Sequence, residues 1–344
     1  MLVYESFRNI PVADHLSHNT QMLHSIISQT NSLALKAVAC IVIIVHHYTL
    51  YQGNTHDNLA QEFLTLVCGY IVVALFFFLS GYGLMVSEKR KKLTVRTFLK
   101  RRLSRVYIPF VLTNVLLIVV LLCIGSYSVS YSVILAHIFG FKLIDSVTWF
   151  VPVTLLFYFF VLLLSELQKR FYKALAMAGL CLLYIISSII LFDIPFYAYV
   201  STPAFPLGYI ASLYSQEICQ GIKGTFRVVL LILCVGAFAL LSLAMMGHFP
   251  VHGHILHGII ALNNIALVGI VVSTFTGKDY KWFHCEWLGD ISYEVYLCHA
   301  KVFIVYIAIT GTIATFHPLL LLIIFPIAFV VNKLDKGIAS AIGY

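Results

Sequence analysis

Charge is what this sequence has least of: 10% of its 344 residues are charged, and only 14 are acidic. A soluble domain carries about 25%, so a surface wetted on every side is excluded. Several catalytic loops are also missing. There is no GxxxxGK[ST] loop, no GxGxxG after a strand and no GxSxG elbow around Ser80. Nucleotide hydrolysis, dinucleotide redox and α/β-hydrolase chemistry therefore lack support. The eight cysteines have no tight CxxC spacing and lie mostly inside apolar runs, which argues against a disulfide framework or a zinc site. Residues 1–30 contain no continuous apolar core of signal-peptide type and read as a polar lead-in or interfacial helix.

Apolar sequence is abundant, with 61% hydrophobic residues, 14% aromatic residues and a mean hydropathy of +0.96. A helical crossing of the bilayer takes roughly 20 apolar residues. The continuous runs predict about ten crossings, near 33–52, 64–86, 106–125, 147–165, 174–192, 199–216, 226–247, 254–276, 288–310 and 313–331. They lack the alternation of barrel strands, so the expected fold class is an all-α polytopic membrane protein. One membrane domain over 33–331 follows, between an amino-terminal segment 1–32 and a short tail 332–344. No internal repeat is evident, which counts weakly against a transporter.

The net charge of +8 is distributed by topology. Nine of the 22 basic residues lie between Glu88 and Arg105, including Lys91, Lys92, Arg102 and Arg105. Short basic loops are retained on the cytoplasmic side. With that loop inside, ten crossings place both termini inside, along with Arg8, Lys173 and Lys281. Only Lys142 and Lys301 of the 22 fall in outer loops or outer half-spans. A basic balance sorted in this way belongs to membrane orientation and not to nucleic acid.

An ionisable side chain at the bilayer centre costs about 2.5 to 3.5 kcal/mol, so it should face a cavity or a partner. The first span carries Lys36, His46 and His47. Lys36 and His47 are eleven residues apart, which returns a helix to nearly the same direction after a rise of about 16.5 Å. That face suits an elongated anionic ligand, bound at Lys36 and reacting at His47. The alternative is a snorkelling lysine and a histidine satisfied by a neighbouring helix. The ninth span reads L-G-D-I-S-Y-E-V-Y-L-C-H from Leu288 and places Glu294, Tyr296 and His299 inside the membrane, with His299 at a depth comparable to that of His47. Glu294 has a simpler option, pairing with Lys301 on the same helix. Arg102 and Arg105 suit bidentate phosphate binding, or serve topology and lipid headgroups. The histidines at 248, 252, 254 and 257 are irregularly spaced, without carboxylate or cysteine, and read as an interfacial loop; no metal is expected.

Taken in order, these segments resemble the acyltransferase 3 family of membrane acyltransferases. S-L-A-L-K-A-V-A-C-I-V-I-I-V-H-H-Y is similar to the family's opening helix, with Lys36 and His47 in the paired places and His46 off the spacing. A-L-F-F-F-L-S-G-Y-G-L resembles its aromatic run, ending here in Ser80, Gly81 and Tyr82. F-L-K-R-R-L-S-R-V-Y-I-P supplies the RxxR arginines, Arg102 and Arg105. Trp149 with Phe150, and then Ile291 to His299, complete the order. The resemblance implies transfer of an acyl group, most often acetyl, from cytoplasmic acetyl-CoA or another acyl-CoA to a hydroxyl of a carbohydrate or lipid-linked glycan. It implies His47 as the catalytic residue, with Lys36, Arg102, Arg105, Ser80 and Gly81 on the donor side. Trp149, Glu294, Tyr296 and His299 would serve the acceptor, in the cytoplasmic membrane of a bacterium. A transporter or flippase of a glycan or small metabolite is the alternative reading.

Overall fold

The computed structural model describes residues 25–53, 58–90, 94–280, 285–313 and 317–341. Residues 1–24 of the expected lead-in, with Arg8, and Lys91, Lys92 and Lys281 lie outside the described residues. In chain order the helices are α1 (Gln29–Gln52), α2 (Leu59–Leu66), α3 (Cys68–Arg90), α4 (Val95–Arg102), α5 (Ile108–Ile124), α6 (Tyr131–Ile138), α7 (Phe150–Leu164) and α8 (Arg170–Ile190). They continue as α9 (Ala204–Leu213), α10 (Ser215–Gly221), α11 (Gly224–Met245), α12 (Gly253–Phe275), α13 (Glu286–Asp290), α14 (Ser292–Thr310) and α15 (Ile324–Ala341). No strand occurs among the described residues.

Local chemistry sets the ends. The Ser28 hydroxyl caps α1 by accepting from the Asn31 N–H at 3.1 Å, and Gly53 closes the helix at φ 73°, a left-handed conformation that favours glycine. Between α4 and α5 the chain widens into a π-turn over Leu103–Tyr107. Pro109 accounts for it: proline has no N–H for the Arg105 carbonyl one turn back, and its ring crowds that carbonyl.

Nine described helical segments are long and apolar enough to cross a membrane. The sequence predicts a tenth crossing at 199–216, and there the chain builds two shorter helices, α9 and α10. Their hydrogen bonds show that they still traverse the bundle. At one end the Ser201 hydroxyl donates to the Tyr70 carbonyl at 3.0 Å, near the start of α3. At the other, the Lys89 ammonium at the end of α3 bonds the Ser212 carbonyl, and Arg170 meets Glu217 at 2.7 Å. The alternation of ten crossings is therefore kept, although the segment is too short to register as a long span.

The short crossing packs closely, and α3 and α9 touch backbone to backbone. A Cβ on Gly81 would sit 2.2 Å from the Phe205 carbonyl oxygen, and one on Gly208 would sit 2.0 Å from that of Phe78. Neither carbonyl can move without shifting a helix. Gly81→Val or Gly208→Val should cost about 1 to 3 kcal/mol through overpacking, read as a lower thermal midpoint in detergent.

The last helix departs from the expected boundary. The prediction ends its span at 331, whereas α15 continues to Ala341, with Asn332 and Asp335 buried.

Candidate functional site

Two helices that run in the same direction carry the site. Gly289 brings α13 onto the backbone of Leu33 in α1. One step further along, the Cys40 thiol donates to the Ser292 carbonyl at 3.3 Å. This register continues to His47 and His299, whose ring centroids are 5.0 Å apart. Seven residues separate Cys40 from His47 on α1, and seven separate Ser292 from His299 on α14, so equal rises from that contact bring the two rings to one depth. The comparable depth predicted for the two histidines is thus an observed contact.

His46 takes a different part. Its Nδ1 lies 2.7 Å from the Leu64 carbonyl, and its ring fills the space over Gly69. It fastens α1 to α2 by this hydrogen bond and to the first turn of α3 by packing. His47, the next residue, has a buried Nδ1 with no hydrogen-bond partner among the described residues, and His299 Nε2 is in the same condition.

At the inner end Lys36 lies close enough to Arg102, Arg105 and Asp290 for their charges to act on it. The Arg102 guanidinium stands over the Tyr158 ring at 5.0 Å and the Phe98 ring at 5.9 Å, a cation–π arrangement that leaves its edge available for hydrogen bonding. Arg105 sits inside the π-turn. Three further cations of this end have partners: Lys173 meets Glu88 at 2.5 Å, Arg170 meets Glu217, and Arg227 donates to the Ser273 carbonyl at 2.6 Å.

The two tyrosines of the ninth-span motif are struts. The Tyr293 hydroxyl donates to the Val106 carbonyl at 2.7 Å, inside the arginine-bearing turn. The Tyr296 hydroxyl donates to the Val147 carbonyl, in the 3-10 turn Ser146–Trp149. One helix therefore holds the arginine segment, the Trp149 segment and His299 in fixed relation. Trp149 itself packs against Tyr197 at 6.0 Å and Phe77 at 6.2 Å. The Tyr296 hydroxyl donates its hydrogen in this bond and keeps its oxygen lone pairs as acceptors.

Glu294 does not take the simpler option. It does not pair with Lys301; its Oε1 accepts from the Asn332 amide at 2.8 Å, while Oε2 is buried without a partner among the described residues. Lys301 instead meets Asp145 at 3.5 Å, with the two side chains 7% and 1% exposed. The other Asp145 oxygen accepts from the Val147 N–H at 2.9 Å, so this pair also braces the Trp149 turn. Neither Asp145, Tyr293 nor Asn332 stands out in the sequence. The available signal was Lys301, a lysine in an outer half-span that needs a carboxylate. Breaking a buried pair by removing one partner costs about 3 to 5 kcal/mol. Asp145→Leu should lower the unfolding midpoint sharply, and adding Lys301→Met should recover most of the loss; thermal unfolding in detergent checks both.

Gly81 belongs to the α3–α9 helix contact described above, and Ser80 precedes it on α3. The outer histidines make local contacts. His257 pairs with the Tyr199 hydroxyl at 2.9 Å and stacks on Phe196 at 4.7 Å, and His248 lies 3.9 Å from Glu62.

These elements define an all-helical polytopic membrane protein with a histidine pair inside the bundle and a cationic rim at its basic end. A family model described as an acyltransferase domain matches residues 33–332. The chain belongs to the acyltransferase 3 family and is an integral membrane acyltransferase of the kind that transfers groups other than amino-acyl groups. No curated protein and no solved structure matches the chain.

Proposed function

We propose that this protein is an O-acyltransferase that takes an acyl group, acetyl in the simplest case, from cytoplasmic acyl-CoA and passes it to a hydroxyl of a carbohydrate or lipid-linked glycan. One observation carries the reading. Lys36 lies within the field of Arg102 and Arg105 at the inner end of the α1 face that bears His47 eleven residues further on. Coenzyme A is anionic at one end through its phosphates and carries its thioester at the end of a long neutral arm. A cationic cluster and an imidazole about 16.5 Å apart along one helix face match that distribution of charge and reactivity.

In this mechanism Arg102, Arg105 and Lys36 hold the phosphates, with the guanidinium groups giving paired hydrogen bonds. The arm follows α1 towards His47. A neutral His47 imidazole takes the proton of the acceptor hydroxyl as the oxygen attacks the thioester carbon. The carbon–sulfur bond breaks, and the thiolate leaves with the proton returned from the imidazolium. Transient acylation of His47 is the covalent variant.

The test uses purified protein with radiolabelled acetyl-CoA, together with mass spectrometry of surface and secreted glycans from a deletion strain and from one carrying His47→Ala. Loss of one acetyl mass increment in both strains is the expected result. Protein that neither binds nor turns over acyl-CoA, yet moves a solute across vesicles, would establish transport instead.

A further inference from the structure

His299 was expected on the acceptor side, and its surroundings point to another task. The residue is fully buried. Its Nδ1 lies 2.6 Å from the Tyr296 carbonyl on the same helix. A carbonyl only accepts, so Nδ1 carries the hydrogen, and in the neutral ring Nε2 is left as a bare lone pair. That nitrogen has no partner among the described residues, and neither does the buried Nδ1 of His47 in the adjacent ring. A buried lone pair and a buried nitrogen of undefined protonation, on rings 5.0 Å apart, are complementary if His47 Nδ1 bears a hydrogen. Hydrogen bonds of this kind are often long in the unliganded enzyme and tighten in the complex.

From this geometry we infer that His299 is a positioning residue that fixes the tautomer of His47, in a chain running from the Tyr296 carbonyl through His299 to His47. The inference rests on the reading of His47 as the base. With Nδ1–H of His47 directed at His299 Nε2, the proton-free nitrogen of His47 is Nε2, the one left to accept from the hydroxyl. When that proton arrives, the imidazolium keeps its Nδ1–H bond to His299, and the proton on Nε2 is the one returned to the thiolate. No atom or electron is left over, and His299 ends the cycle as it began. Three polar neighbours of the pair have partners of their own. His46 is bound to Leu64, and Lys301 and Asp145 are bound to each other. The hydrogen-bond partner that fits His47 Nδ1 is therefore the neighbouring lone pair of His299.

The experiment compares His299→Leu with His299→Gln in the full chain in nanodiscs. Glutamine can place an accepting oxygen near the Nε2 position, while leucine offers none. His299→Leu should lower kcat about 100-fold with the KM values for donor and acceptor unchanged, and His299→Gln should recover at least tenfold of that. Nitrogen-15 histidine spectra of the unmutated protein should show His47 as the Nδ1–H tautomer. That measurement decides the matter on its own if the leucine variant does not fold. A raised acceptor KM with unchanged kcat, no advantage of glutamine over leucine, or an Nε2–H tautomer at His47 would each overturn the inference. The reading of His47 as base fails separately, if His47→Ala keeps full turnover.

Discussion

His47→Ala is expected to reduce acyl transfer by about 10²- to 10⁴-fold, the range that a positioned base contributes, while expression and thermal stability remain near normal. The residue tolerates truncation structurally because its Nδ1 makes no hydrogen bond among the described residues that would be lost. His46 provides the internal control. It is bonded to the Leu64 carbonyl and packed over Gly69, so His46→Ala should lower stability more than His47→Ala and turnover less. Rates measured with saturating donor and acceptor, beside thermal midpoints for both variants, separate the two roles. Full turnover in His47→Ala would remove it from the catalytic centre.

Arg102→Ala and Arg105→Ala should each weaken acyl-CoA binding by roughly 10- to 100-fold, which corresponds to losing a charge-assisted contact worth about 1.5 to 3 kcal/mol. The rate of the bound complex should change much less. Arg105 is exposed and Arg102 partly so, hence added salt should weaken donor binding in the unmutated protein and do so less in the double variant. Equilibrium binding of coenzyme A at two ionic strengths checks this. The effect depends on geometry as well as charge: Arg105 lies in a π-turn that Pro109 produces and that Tyr293 holds through the Val106 carbonyl. Tyr293→Phe keeps every cation in sequence, so any weakening it causes measures the value of holding the turn in place. An unchanged dissociation constant in Arg102→Ala and Arg105→Ala would refute the phosphate assignment.

Much of the architecture was legible because a bilayer imposes strong rules. Long apolar runs have to be helices, since hydrocarbon leaves no other partner for the backbone, and the Lys and Arg bias fixes their direction. The run at 199–216 was legible as a crossing but not as two short helices. Nor was its close contact with α3, which depends on Gly81 and Gly208 facing each other, 127 residues apart in the chain. That Lys36 and His47 share one face of α1 was readable from their spacing. The partners of Glu294 and Lys301 were not, because helix periodicity reports neighbours on one helix, while both side chains chose partners on other segments.

The amino-acid order alone determined that this chain enters a membrane, that its basic residues are concentrated in the loop after the second span, and that a cation and an imidazole share one face of the first helix. These properties follow from local composition and from the 3.6-residue turn. Tertiary structure alone decided that His299 stands beside His47, that the motif tyrosines brace the arginine and tryptophan turns, and that Asp145 neutralises Lys301. Each of these is a contact between segments far apart in sequence. Buried polar groups choose such partners by position in the folded bundle, where an unmade hydrogen bond is costly.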